Sequence, residues 1–181
     1  MTKTIFFFFL LLINDLFAQS DKIIPSIVEI DGIVFKSNEE NPFTGKVSIY
    51  WKNNQLKEEG LYRGGIKSGL WKYWYRSGVL QSKGIFRNNT RTGVWIEWYE
   101  NNNKKIQTIY RNGLKNGKEI NWSSEGKKVS EYSYQGGKKN VSFRSWFHNG
   151  RKKSAGTYID DGYVGEIIEW YENGKKYKEQ N

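Results

Sequence analysis

The sequence contains no cysteine and one histidine. Without cysteine there can be no disulfide, no thiolate metal site and no cysteine nucleophile. The lone histidine, His148, cannot build a multi-histidine metal site, and it sits beside Asn149 and Gly150 in a predicted turn rather than near a candidate triad. Apolar residues are also scarce, at 37% of the chain, which is not the composition of a membrane protein. Acidic residues are outnumbered, 19 against 29 basic ones, so the net charge is +10 and anionic partners are favoured over cationic ones. What is abundant is aromatic: 17% of residues are Phe, Trp or Tyr, which a disordered chain would lack. The chain is long enough for one domain whose polar surface is held together by rings.

The one long apolar run spans residues 5–13, behind the positive charge of Lys3 and ahead of Leu16, Phe17 and Ala18. At nine residues it is far short of the ~20 that a spanning helix needs. Residues 1–18 therefore read as a secretory signal peptide cleaved near Ala18, and export to the periplasm or beyond is expected. No cysteine follows the run, so the lipoprotein route is excluded.

Aligned against itself, the chain shows a period of 24 residues without insertion, with copies beginning at Gly45, Gly69, Gly93, Gly117, Val141 and Gly165. Five residues into each copy stands a ring: Tyr50, Trp74, Trp98, Trp122, Trp146 and Trp170. Another stands seventeen residues in, at Tyr62, Phe86, Tyr110, Tyr134 and Tyr158. Turn dipeptides punctuate every copy twice, as at Ser77-Gly78 and Asn88-Asn89. Each copy then holds two strands of about seven residues, within the usual range. The fold class expected is all-β: an elongated antiparallel β-meander of tandem 24-residue hairpin repeats in a single-layer twisted sheet. Residues 19–44 form a lead-in with a capping β-hairpin, and residues 45–181 form the repeat domain.

A four-residue loop over residues 76–79 would set Tyr75 opposite Leu80, Trp71 opposite Gly84 and Gly69 opposite Phe86. The same count sets Trp95 opposite Thr108, Glu119 opposite Tyr132 and Phe143 opposite Gly156. A large ring facing a small residue would cover otherwise bare backbone.

Residues 62–75, their echo at 86–99 and the closing stretch from Trp170 to Lys175 resemble the MORN-repeat variant, in the form found in YwqK-like antitoxins. The opening segment from Asn41 to Val47 is similar to the way such chains enter their first repeat. The resemblance covers the chain from about Gly32 onward and implies a non-enzymatic, partner-binding role; it also associates the repeats with lipid. Glu119 and Ser123 stand where rings are expected, and Val141 replaces the opening glycine. Export does not suit an antitoxin acting on a cytoplasmic toxin; it would suit immunity against a periplasmic one.

No catalytic constellation emerges. Glu97 and Glu100 recur as Glu169 and Glu172, and a pair that repeats with the fold is a strand end rather than a unique acid and base. Glu58-Glu59 is similarly placed, and Asp160-Asp161-Gly162 is a lone acidic turn without the second half of a metal loop. The glycines follow the repeat and form no phosphate-binding motif. Neither an enzyme activity, a cofactor, a metal nor a small-molecule substrate is expected.

Two surfaces are candidates for binding. The stripe Trp74, Trp98, Trp122, Trp146 and Trp170 would mark a protein-binding face if uncovered. An anion-binding set comprises Arg63, Arg87 and Arg111 at one repeat position, with Lys127, Lys128, Lys138, Lys139, Arg151, Lys152 and Lys153 at turns. The alternative for these cations is that they keep a long sheet soluble and block edge pairing. By segment the net charge is -3 over residues 19–44, then +3, +5, +2, +2 and +2 over the full copies, and -1 over residues 165–181. Basic residues interleaved with rings suit nucleic acid, but export argues against it. The reading is an exported repeat protein that binds another protein, as a scaffold or antitoxin-like immunity factor. The alternative is a peripheral binder of anionic envelope lipid or acidic glycan.

Overall fold

The computed structural model describes residues 22–180, so the signal segment read in residues 1–18 and its cleavage near Ala18 lie outside the described residues. All regular structure described is β: β1 (Lys22–Ile24), β2 (Ile27–Ile30), β3 (Ile33–Lys36), β4 (Gly45–Tyr50), β5 (Leu56–Arg63), β6 (Ile66–Trp74), β7 (Leu80–Arg87), β8 (Thr90–Trp98), β9 (Lys104–Arg111), β10 (Leu114–Trp122), β11 (Lys128–Gln135), β12 (Lys138–Trp146), β13 (Lys152–Ile159), β14 (Gly162–Trp170) and β15 (Lys176–Gln180). Strands β4 to β15 form an antiparallel meander in which each pairs with its neighbours in sequence. β1 extends the sheet beside β4, and β2 and β3 make a separate hairpin.

The meander follows from two kinds of turn that alternate along the period. At Asn88-Asn89 and Asp160-Asp161 both central residues lie in the left-handed region, with φ of 48° and 59° and of 49° and 69°. That is the two-residue turn whose twist matches a hairpin. The acidic turn at Asp160-Asp161 is therefore one more repeat of this device, and its Asp161 Oδ1 accepts the Lys139 N–H at 2.8 Å as Asn89 Oδ1 accepts that of Lys67 at 2.7 Å.

The other turn is one residue tighter than the sequence count implied. Gly78 N–H donates to Tyr75 O at 3.0 Å and Tyr75 N–H to Val79 O at 2.9 Å, which closes a three-residue loop. Trp74, not Tyr75, consequently faces Leu80. Such loops close with a type I turn and one left-handed residue, here Gly78 with φ of 85°. The register recovers because Gln81 is extra on its strand between Trp74↔Leu80 and Tyr73↔Ser82. The remaining expected pairs, Gly69↔Phe86, Trp71↔Gly84, Trp95↔Thr108, Glu119↔Tyr132 and Phe143↔Gly156, all form.

What each ring covers differs from what it faces in register. A Cβ on Gly84 would stand 2.1 Å from the Trp95 ring, and one on Gly60 would stand 2.2 Å from the Trp71 ring. Each indole thus lies across the glycine eleven residues before it, on the preceding strand. It donates its N–H there as well, Trp71 Nε1 to Leu61 O at 3.3 Å and Trp95 Nε1 to Ile85 O at 3.2 Å. A glycine is needed because any side chain would occupy the volume of the ring.

The rings from neighbouring strands meet in a ladder on one face. Phe43, Tyr62, Trp71, Phe86, Trp95 and Tyr110 follow one another at centroid distances of 6.2, 5.1, 6.1, 5.0 and 6.4 Å, mostly edge to face. This geometry is the favourable one for the aromatic quadrupole. Trp71 and Val47 are wholly buried. The β2–β3 hairpin closes the N-terminal end of the ladder, where Val34 and Phe43 join Val47, Tyr62 and Trp71 in one cluster. It is fastened by Val34 N–H to Gly65 O at 2.9 Å and Gly65 N–H to Phe43 O at 2.8 Å.

Copies are also tied to one another along both rows of turns. On one side the second turn residue donates to the copy before, Asn89 N–H to Lys67 O at 3.0 Å and Gly137 N–H to Lys115 O at 2.9 Å. On the other, Tyr75 Oη donates to Trp98 O at 2.8 Å and Tyr99 Oη to Trp122 O at 2.9 Å. The fourth copy has Ser123 at this position, and its buried hydroxyl makes no hydrogen bond.

In four of the six copies the opening residue bulges into a left-handed conformation, among them Gly69 with φ of 70° and Val141 with φ of 77°. A β-branched residue is strained there, and the Val141 side chain is 60% exposed, so it gains little packing in return. Val141→Gly should therefore stabilise the protein by about 1 kcal/mol in urea denaturation. Gly84→Ala, which drives a methyl into the Trp95 ring, should destabilise by about 1–3 kcal/mol in the same assay.

Candidate functional site

The two faces of the sheet differ in what they expose. On the ring face, cations lie over the ladder at a recurring position. Lys67 Nζ stands 3.9 Å from the Trp71 centroid, the Arg91 guanidinium 4.4 Å from Trp95, Lys115 Nζ 4.8 Å from Tyr134 and Lys139 Nζ 4.5 Å from Tyr132. Two of the four are neutralised locally. Lys67 pairs with Glu58 at 3.4 Å, and Lys115 pairs closely with Glu119. Burial opposes the charge on Lys115, but the hydrogen bond and charge of Glu119 outweigh it and raise its pKa.

Glu119 interrupts the ladder where Trp71 and Trp95 stand in earlier copies. Its carboxylate is buried and accepts from Thr108 Oγ1 at 3.0 Å and Tyr134 Oη at 3.4 Å. Thr108 occupies the place of Gly60 and Gly84, so the small residue and the ring have been exchanged together for a hydrogen-bonded pair. The ladder resumes with Tyr132 and Phe143, stacked at 6.1 Å, and Tyr158. A cleft of about 310 Å³ lies beyond, lined by Phe143, Ser154, Tyr163, Ile167 and Glu169.

On the opposite face lies the tryptophan stripe. Trp74, Trp98, Trp122, Trp146 and Trp170 are all half-buried. From the third copy onward each faces a lysine in register: Trp98↔Lys104, Trp122↔Lys128, Trp146↔Lys152 and Trp170↔Lys176. Each indole also carries a lysine ammonium from the preceding strand. Lys83 stands 5.6 Å from Trp98, Lys104 5.6 Å from Trp122, Lys128 5.2 Å from Trp146 and Lys152 5.6 Å from Trp170. The stripe is a row in which indole and ammonium alternate, strand by strand.

Strand alternation extends this asymmetry to the whole face. In β6–β9 it places Lys72, Lys83, Arg87, Lys104 and Arg111 on the side away from the ladder. In β10–β13 it places Lys118, Lys128, Lys138, Arg144 and Lys152 there, with Glu131 as the one carboxylate. Lys118 at 3.0 Å, with Lys128 at 3.2 Å, holds the Glu131 carboxyl below its ordinary pKa although burial works the other way. Lys72 and Lys83 face each other directly, a like-charge pair that costs stability.

The other candidate cations divide between the two rows of turns. Arg63, Arg87 and Arg111 end β5, β7 and β9, exposed beside the two-residue turns, and Lys138 lies along that row. Lys139 turns to the ring face instead. Lys127, Lys128, Arg151, Lys152 and Lys153 sit at the opposite row, where Arg151 Nη1 donates to Glu172 O at 3.2 Å and Lys153 lies 5.8 Å from the Phe147 ring. The ten residues therefore do not form one patch. The cations at Lys67, Arg91 and Lys115 were not singled out from the sequence, although their 24-residue recurrence with Lys139 was visible there. His148 is exposed, and no group of three or more His, Cys, Asp or Glu converges among the described residues.

The ring face makes stability sensitive to alkali. Burial, with the nearby Glu58 charge, pushes the Tyr62 and Tyr73 hydroxyls well above their ordinary pKa. Both must stay neutral in the folded protein, so their contribution is complete below about pH 10 and is lost as pH rises above it. The melting temperature should fall steeply above pH 10, and Tyr62→Phe should flatten that fall.

The repeat geometry agrees with the comparison to protein families. No curated protein matches the chain. The family described as the MORN repeat variant matches residues 43–63, 67–88, 91–112 and 163–181. The stretch between the last two matches holds Glu119, Ser123 and Val141, which replace the ladder ring, the tyrosine of the tie and the glycine of the bulge. Over those four stretches the chain is similar to MORN repeat variants.

Proposed function

We propose that this is a non-enzymatic, exported repeat protein that works by binding, and that its partner is an anionic envelope component, lipid head group or acidic glycan. The observation that carries this reading is the segregation of charge. Across β6–β13 the face away from the ladder sets ten cations against Glu131, with Glu59 of β5 opposite Lys72, while the ring face holds Lys67 against Glu58 and Lys115 against Glu119. Solubility alone would not require one face to bear most of the positive charge, nor a facing pair such as Lys72 and Lys83. A regular sheet displays such a surface as a long, rigid array.

A second reading has its own observation. Leu70, Ile85 and Val94 are 51%, 46% and 47% exposed on that same face, an apolar strip suited to a protein partner. Such a partner would make the chain a scaffold or a YwqK-like, antitoxin-like immunity factor, and export would set it against a periplasmic toxin.

The test is retention of the protein, from Gln19 onward, on phosphatidylglycerol vesicles and on immobilised acidic glycan at low and high salt. Binding should be strong at low salt and largely lost near 1 M, where the screening length falls to about 3 Å. A stoichiometric envelope protein that survives the high-salt wash, with neither lipid nor glycan retained, would transfer the assignment to the second reading.

A further inference from the structure

The row formed by Trp98, Lys104, Trp122, Lys128, Trp146, Lys152 and Trp170 crosses the strands of the last four copies in a straight succession. Neighbouring strands lie about 4.8 Å apart, so like residues recur about every 10 Å and the row extends about 29 Å from Trp98 to Trp170. Each lysine from Lys104 to Lys152 lies between two indoles, the one it pairs with and the one its ammonium covers, and the middle one, Lys128, also meets Glu131 at 3.2 Å. This confinement fixes the direction of a long side chain before any ligand arrives, and so lowers the entropic cost of using it. The half-buried indoles between the charges leave amphipathic ring surface along the same line.

We infer that this row is a binding track for a linear acidic polysaccharide, laid across the strands, with carboxylates on the lysines and sugar rings against the indoles. The inference rests on the reading that the partner is anionic and specifies which anion and where. Three features favour an acidic glycan chain over a lipid surface or a nucleic acid. The cations form a line rather than a plane. Their spacing matches one charge per disaccharide, sparser than the charge on every nucleotide. The indole faces are partly taken by lysine, which leaves less room for a stacked base than for the edge of a sugar. In the first two copies the lysine of the row is replaced by Leu56 and Leu80, so the track begins with the third copy.

Hyaluronan oligosaccharides of two to five disaccharides, with one carboxylate each, are a suitable probe for calorimetric titration against the protein from Gln19 onward. Affinity should rise with length and level off once the oligosaccharide spans the row. Combined Lys104→Gln, Lys128→Gln and Lys152→Gln should weaken binding about tenfold or more, and Arg63→Gln, Arg87→Gln and Arg111→Gln, which remove the same charge from the turn row, no more than about threefold. Because the lysines also cover rings, Lys→Arg at the same three positions serves as the folded control and should bind within about threefold of the parent.

Equal losses in both glutamine triples, or no dependence on length, would overturn the track and leave the anionic reading standing. So would retention on phosphatidylglycerol vesicles without glycan binding. Tighter binding of single-stranded DNA of equal charge would replace the glycan by a nucleic acid and overturn the inference. Absence of binding to any of these polyanions would remove the track and the reading beneath it together.

Discussion

The structure depends on a ring lying flat on the backbone of the strand before it. A single-layer sheet has no second layer to bury its apolar face, so each repeat must provide cover for the one before it. Trp71 covers Gly60 and Trp95 covers Gly84, eleven residues earlier in each case. The later copies keep the relation and change the chemistry. Thr108 and Glu119 meet by a hydrogen bond, Tyr132 and Phe143 by stacking, and Gly156 lies under Phe143 and Ile167. What is invariant across the chain is the complementarity of two positions, not the identity of either.

Interlocking of this kind makes neighbours interdependent. Each copy donates hydrogen bonds to or accepts them from adjacent copies at both rows of turns, and its ladder ring touches the next. Stability in such arrays is approximately a sum of repeats and their interfaces. The fourth and fifth copies therefore form a locally weaker stretch, since Ser123 lacks the tie that Tyr75 and Tyr99 make and Val141 holds a backbone conformation that disfavours it. The charged contact of Lys115 with Glu119 compensates in part, because it satisfies a carboxylate that would otherwise be buried alone.

Much of this was legible in the sequence, for a physical reason. Period, strand number and most cross-strand pairs follow from local chemistry, such as turn dipeptides and alternation, that recurs every 24 residues. Two features did not follow. Loop length was off by one, because a bulge at Gln81 hides a three-residue loop inside a count that fits four. The strand covered by each indole was also mistaken, since register gives the residue that faces Trp71 and not the direction in which its ring leans. Of the candidate site, the tryptophan stripe was visible but its lysines were not linked to it. The six-residue offset of Trp122 from Lys128 acquires meaning only once the turn has been placed.

The same offset explains how one sheet can separate folding from binding. Rings on the ladder face are buried by neighbouring rings and by cations, of which Lys67 and Lys115 pair with Glu58 and Glu119, so that face is committed to stability. Rings on the other face are flanked by lysines, of which Lys128 pairs with Glu131 while Lys104 and Lys152 lie over indoles. An ammonium over an indole is only partly stabilised, and the attraction leaves its positive charge uncompensated. A row of such pairs therefore solves two problems with the same residues. It keeps broad indoles from forming a continuous apolar strip, and it holds charge outward in a fixed order, which is the form in which a repeat array can match a repeating polyanion.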